Sequence, residues 1–314
     1  MRGVAIVAAV AALMIGATGF GITLGHGLDG EHERITRQAM STGGAPLLEP
    51  LTLTELAGRE GSWGAVGAPD NPARGLASLD RNHCSGADWY DQKGYPQSKA
   101  AAQAKLEACR DYIFDRLNDA VRLAGDLAVK SPTGRWSPRA DQMPTSAEGC
   151  AYKGQKGRAK CNVLESMGLA LHAAQDFYSH SNWGDQADAS HALGPENPPG
   201  LGNRGVAPWL DPNTPDLPFP EGLISGCYEG EPERKNCNYG IFKPRVKHDF
   251  LNKDSARKGR SKVNDNYSKA FHLAAQDTWR KWVWMETRIR AEYPVGQANA
   301  IICGLRKDSA SSCP

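Results

Sequence analysis

The run from Leu164 to Trp183, LESMGLALHAAQDFYSHSNW, places the tightest limit on what this chain can fold into. His172, Asp176 and His180 follow one another at four-residue intervals. At 3.6 residues per turn successive members drift by only about 40° around a helix, so three ligand-type side chains share one face. Leu164, Met167 and Leu171 give the same segment an apolar side, which marks it for burial. Burying three such groups uncompensated is costly. A divalent cation bridged by the aspartate and held by the imidazoles removes that cost, since both groups are ordinary zinc ligands. A solvated face or a hydrogen-bonded His/Asp cluster is the alternative.

Periodicity and breakers make the rest of the chain mainly helical. Helices are predicted from about Glu31 to Met40, Leu47 to Ala57, Tyr95 to Val129 with Ser98 as a cap, Val163 to Ser181, and Asn264 to Tyr293. Gly61 to Asp91 reads as one long loop, and Ser131 to Lys160 as a Gly/Pro/Lys-rich excursion. Asp188 to Arg260 holds ten of the twenty prolines, which predicts an irregular layer wrapped over the helices. A Cys303 to Cys313 loop is expected to close the chain.

Arg2 precedes the apolar run GVAIVAAVAALMIGA, about the length of a signal-peptide core and short for a membrane span. Small residues at Ala17-Thr18-Gly19 suit cleavage, which divides the chain into a signal peptide, 1–19, and a mature body, 20–314. A retained anchor is the rival reading, and either one puts the body outside the cytoplasm. Eight cysteines agree with export. They allow about 105 pairings, and proximity favours Cys84 with Cys109, Cys150 with Cys161, Cys227 with Cys237, and Cys303 with Cys313. No C-x-x-C occurs, which argues against cysteine-ligated zinc. Lys+Arg 37 against Asp+Glu 35 calls for no specific nucleic-acid binding and no obligate anionic membrane.

One helix cannot complete a metal site, so other segments must contribute. His32 opens the first helix in GEHERIT, Asp70 and His83 flank the glycine-rich loop GAPDNPARGLASLDRNHC, and His248 stands in KHDFLNKD. His26 competes with His32, but the helix start at Glu31 favours His32. His191 and His272 match no motif and are taken as non-ligands, His272 as a partly buried residue. Trp63, Trp89, Trp183 and Trp209 either line a cleft or pack as satellite core.

The order of an early histidine, Pro-Asp, a further histidine, and H-x-x-x-D on a helix followed by another histidine resembles the zinc-dependent phospholipase C and single-strand nuclease superfamily. LHAAQDFYSHSNW and FLNKDS are most similar to its Het-C-like branch. GAPDNP, GYPQSKAAAQAKLEACR, KGRAKC, PPGLG and APWLDP look like the actinobacterial CinY-like proteins, and this resemblance covers most of the mature chain. It implies an all-α fold in a single multi-helix domain with long disulfide-pinned loops, holding two or three Zn2+ ions. His32 and Asp176 would serve one ion. Asp70, His83, His172 and Asp176 would serve a second, with Asp176 bridging and Asp70 also activating water. His180 and His248 would serve a third.

Two departures stand out. The histidine after the bridging aspartate lies at Asp176+4, where the family's enzymes have it at +6. Asn252 replaces the glutamate expected four residues after His248, leaving Asp254 as a substitute or a site with fewer ions.

Three functions follow as expectations. The first is a secreted metal-dependent phosphoesterase acting on a phosphodiester or a membrane phospholipid. The second is a non-catalytic or biosynthetic-accessory zinc protein of the same fold that binds a peptide, membrane or protein partner. A zinc peptidase is the third, set low because no H-E-x-x-H occurs.

Overall fold

A computed structural model of the chain describes residues 30–44, 46–59, 62–77, 79–143, 150–152, 154–228, 237 and 245–314. The expected signal segment, its expected cleavage point and His26 lie outside these. The fold is predominantly helical. Its α-helices are α1 (Glu31–Met40), α2 (Pro50–Ala57), α3 (Asp80–His83), α4 (Lys99–Ala124), α5 (Ala159–His180), α6 (His248–Leu251), α7 (Asn266–Glu292) and α8 (Val295–Arg306).

Helix α5 is the hub. The sequence gives it two sides, but in three dimensions Asn162 alone of its residues escapes burial. It packs on α4 and α7, which also touch one another, while α1, α2 and α3 close around it. Helix α4 buries Leu106, Cys109, Ile113, Leu117, Ala120, Val121 and Ala124, the three- and four-residue spacing of one helical stripe. Ser98 Oγ accepts the Ala101 N–H at 3.1 Å and fixes its start.

Two glycines let loops approach α5 and its neighbourhood closely. A Cβ on Gly168 would stand 2.4 Å from the carbonyl carbon of Ala65, so only glycine admits the loop that carries Asp70. A Cβ on Gly226 would stand 2.4 Å from the Cα of His248. The backbone there is tied in, with Gly226 N–H donating to His180 O at 3.2 Å and His248 N–H to Cys227 O at 2.7 Å.

Disulfides join Cys84–Cys109, Cys150–Cys161, Cys227–Cys237 and Cys303–Cys313, with Cα separations of 5.2–5.9 Å, inside the usual range. They suggest an oxidising, extracellular environment. No described helix is long and apolar enough to cross a membrane.

Several expectations need correction. The chain is not purely helical: α4 ends at Ala124, and Ala128–Lys130 (β1) pairs antiparallel with Trp136–Pro138 (β2). Strands of three residues carry too little alternation to be read from sequence. The chain after Tyr293 is not simply a loop. Pro294 starts α8, which buries Ala298, Ile301, Ile302 and Leu305 and contains Cys303. The stretch 61–91 contains α3 and short 3-10 turns at Ala68–Asp70 and Pro72–Arg74. Between 188 and 260 the described residues form the expected irregular layer, with a 3-10 turn at Pro208–Leu210, isolated bridges such as Cys227–Lys247, and α6.

Candidate metal centre

Five separate segments bring the eight candidate ligands to one place. His32 comes from the first turn of α1, Asp70 from the 3-10 turn held by Gly168, and His83 from the end of α3. His172, Asp176 and His180 come from α5, His248 opens α6, and Asp254 follows it. Cys84, in left-handed conformation directly after His83, anchors that histidine to α4 through its disulfide. All eight are buried: His83 is the most exposed at 7 %, and His172, Asp70 and Asp176 are at 0 %. The solvated-face reading of α5 is thereby excluded.

Asp176 lies at the centre with its two oxygens facing different partners. Oδ2 is 2.9 Å from His83 Nδ1 and 3.1 Å from His172 Nε2. Oδ1 is 3.3 Å from His32 Nε2 and 3.9 Å from His180 Nε2. Asp70 approaches His32, His83 and His172 at 3.7 Å each. On the far side His180 Nε2 is 2.9 Å from Asp254 Oδ1, and the His180 and His248 ring centroids are 4.2 Å apart.

The outer edges of the rings determine what the inner edges can do. His172 Nδ1 lies 2.8 Å from Val66 O and His180 Nδ1 3.2 Å from His83 O. Carbonyl oxygens only accept, so both Nδ1 atoms carry protons and both Nε2 atoms point inward as lone pairs or imidazolium N–H. Lone pairs aimed at carboxylate oxygens repel, and only a cation or a proton between them reverses the sign. Neither oxygen of Asp70 and not Nε2 of His83 has a hydrogen-bond partner among the described residues. Buried polar groups left so need an explanation.

Spacing supplies one. Among Asp70 Oδ1, His83 Nδ1, His172 Nε2 and Asp176 Oδ2, the five separations that involve a histidine are 2.9, 3.0, 3.1, 3.7 and 3.7 Å. These bracket the ~3.3 Å between neighbouring donors of a tetrahedral ion with bonds near 2.0–2.1 Å. Within 4.8 Å, three donor groups assemble: His32, His172 and Asp176; Asp70, His83 and His172; His180, His248 and Asp254. The donor set therefore fits divalent metal. In the third group Asp254, not Asn252, stands among the donors; Asn252 Oδ1 instead accepts the Asp254 backbone N–H at 2.7 Å.

Electrostatics follow the same division. Burial raises the Asp70 carboxyl, only partly offset by His172, His83 and His32. Burial would raise Asp176 too, but His172, His180 and His32 hold it well below the usual carboxylate range. Burial opposes protonation of His180, yet Asp254 and Asp176 push it up to about 9. The same contest raises His32 through Asp176 and Asp70. His172 and His248 stay low, through burial first and then through a neighbouring histidine, His32 and His180 respectively. Without metal, the neighbouring carboxylates pull a proton toward His180 and, in the same sense, toward His32, where a cation would otherwise balance them.

The remaining histidines lie elsewhere. His191 is exposed. His272 is also exposed, not partly buried: it sits on the outer side of α7 with Nδ1 2.7 Å from Ser268 O. Trp183 and Trp209 are core residues and Trp89 packs against the core. Gln175, which no sequence signal marks as functional, lies fully buried against His32. Comparison with family models, curated proteins and solved structures returns no match for this chain.

Proposed function

We propose that this protein is a secreted, zinc-dependent phosphoesterase with two or three ions, related to the zinc-dependent phospholipase C and single-strand nuclease superfamily and nearest its Het-C-like and CinY-like members. The observation that carries the reading is the cluster of buried donors, Asp70, His83 and His172 in one group, His32, His172 and Asp176 in a second, and His180, His248 and Asp254 in a third, the ligand atoms of each group lying within 4.8 Å of one another. Imidazole nitrogen and carboxylate oxygen together favour zinc over the oxygen-only sites of magnesium or calcium. When bound, clustered ions polarise phosphoryl oxygens and make water acidic enough to react near neutral pH.

The chain's own residues supply orientation. Asp70, whose oxygens accept no hydrogen bond from described residues, receives one from the attacking water. Water adds to phosphorus, one phosphorus–oxygen bond breaks, and the departing alcohol takes up a proton. The substrate class is a phosphodiester or the phosphoester of a membrane lipid.

One observation favours a second reading, a non-catalytic zinc protein that binds a peptide, membrane or protein. The eight donors are almost wholly buried, and two surface cavities, of about 240 and 640 Å³, are lined by other residues. The deciding experiment measures metal per chain in purified protein together with hydrolysis of bis(p-nitrophenyl) phosphate and phosphatidylcholine vesicles. Two or three zinc ions, with hydrolysis abolished in Asp70→Asn while metal is retained, supports the enzyme. A single ion and no phosphoester hydrolysis overturns it.

A further inference from the structure

Resting on the metal reading above, we infer that Gln175 is a positioning residue that selects the tautomer of His32 and thereby determines how firmly the ion at His32 and Asp176 is held. Gln175 follows the face of α5 next to Asp176 and is fully buried. Its Oε1 lies 2.7 Å from His32 Nδ1, and its Nε2 donates at 3.0 Å to Thr36 Oγ1 and at 3.0 Å to Thr278 Oγ1. Three helices, α1, α5 and α7, thus meet on one carboxamide.

The orientation of that amide has a chemical consequence. With Oε1 toward the ring, Nδ1 carries the proton and Nε2 faces Asp176 Oδ1 and Asp70 Oδ2, at 3.3 and 3.7 Å, with its ligand lone pair. Turned over, the amide would donate to Nδ1 and force the proton onto Nε2, where it blocks a metal. Threonine hydroxyls donate or accept equally, so the pocket tolerates both orientations and only the first supports an ion. His172 and His180 have backbone carbonyls in the same outer role. At His32 that acceptor is a side chain, and so open to substitution. Partners of this kind fix ring orientation and raise ligand basicity, and losing one typically costs 10–100-fold in metal affinity.

The test is zinc competition against a chromophoric chelator on the full disulfide-bonded chain, comparing wild type with Gln175→Met and Gln175→Glu. Expected is a 10–100-fold loss of affinity for one ion in Gln175→Met, the others unchanged, and wild-type or tighter binding in Gln175→Glu, which keeps the acceptor. Equal binding by Gln175→Met and wild type overturns the inference, as does equal weakening by both variants. Wild-type protein that binds no zinc refutes the metal reading itself. Should Gln175→Met not fold, two-bond 1H–15N spectra of the zinc-loaded wild-type chain decide, with the His32 ring assigned through His32→Asn. A protonated Nδ1 supports the inference and a protonated Nε2 overturns it.

Discussion

His83 Nδ1 and His172 Nε2 face one another at 3.0 Å, two ring nitrogens from separate helices that also share Asp176 Oδ2. Since His172 Nδ1 already donates to Val66 O, the pair is held together either by one shared proton or by an ion that both ligate. With an ion, folding and metal binding are one linked equilibrium. Chelation should therefore lower thermal stability. A ligand at about 1,000 times its Kd contributes ~4 kcal/mol, which in a domain of this size is on the order of 6–7 °C. Identical melting curves for zinc-loaded and chelator-treated protein would remove the basis for the site.

The bridging position of Asp176 should appear in stoichiometry. Its two oxygens face different donors, so Asp176→Ala is expected to lower metal content by two or more per chain. His248→Ala and Asp254→Ala should each lower it by one, because these residues belong to the third group alone. Elemental analysis of dialysed variants checks this, and equal loss from all three would refute the bridge.

The pH dependence has a definite sign. His180 in the folded, metal-free chain titrates near 9 against an ordinary 6.5. A raised folded value means that the protonated form stabilises the native state, fully below about pH 6.5 and progressively less as pH rises through 9. Metal needs the neutral ring and escapes that loss. The gap in melting temperature between zinc-loaded and zinc-free protein should consequently widen from pH 6.5 to 9. A gap that narrows over this range would contradict a third site at His180.

Close approach at Gly168 gives a fold-level prediction. Gly168→Ala drives a methyl group into the Ala65 backbone and should cost about 1–3 kcal/mol in urea unfolding, the usual range for overpacking. Gly226→Ala, directed at the His248 backbone, should do the same. Gly205→Ala, with nothing within 4 Å of its Cβ position, should stay within about 0.5 kcal/mol of wild type. Similar effects at all three positions would show that the proximity is not limiting.

Much of the site was legible because helical spacing is local. His172, Asp176 and His180 could be placed on one face from their numbers, residue type in irregular segments marked His32, Asp70, His83 and His248, and Asp254 came in only through the family resemblance, as a substitute for a glutamate. Gln175 passed unnoticed, since an amide in HAAQD has no ligand signature until His32 is brought against it. Helix α8 was lost behind Pro294, which reads as an end and serves as a start. His272 was misplaced because one helix's periodicity does not say which turn its neighbours cover.

By itself, the sequence determined helices α1, α2, α4, α5 and α7, the local cysteine couples and a central helix carrying metal-binding side chains, all consequences of spacing over a few turns. Only the tertiary structure decided which donors share a centre, that Asp254 joins His180 and His248, and that the polar face of α5 is sealed from water. Those outcomes depend on loops closing across long stretches of chain, at Gly168 and Gly226 and through Cys84–Cys109. Contacts between distant segments leave no period in the sequence.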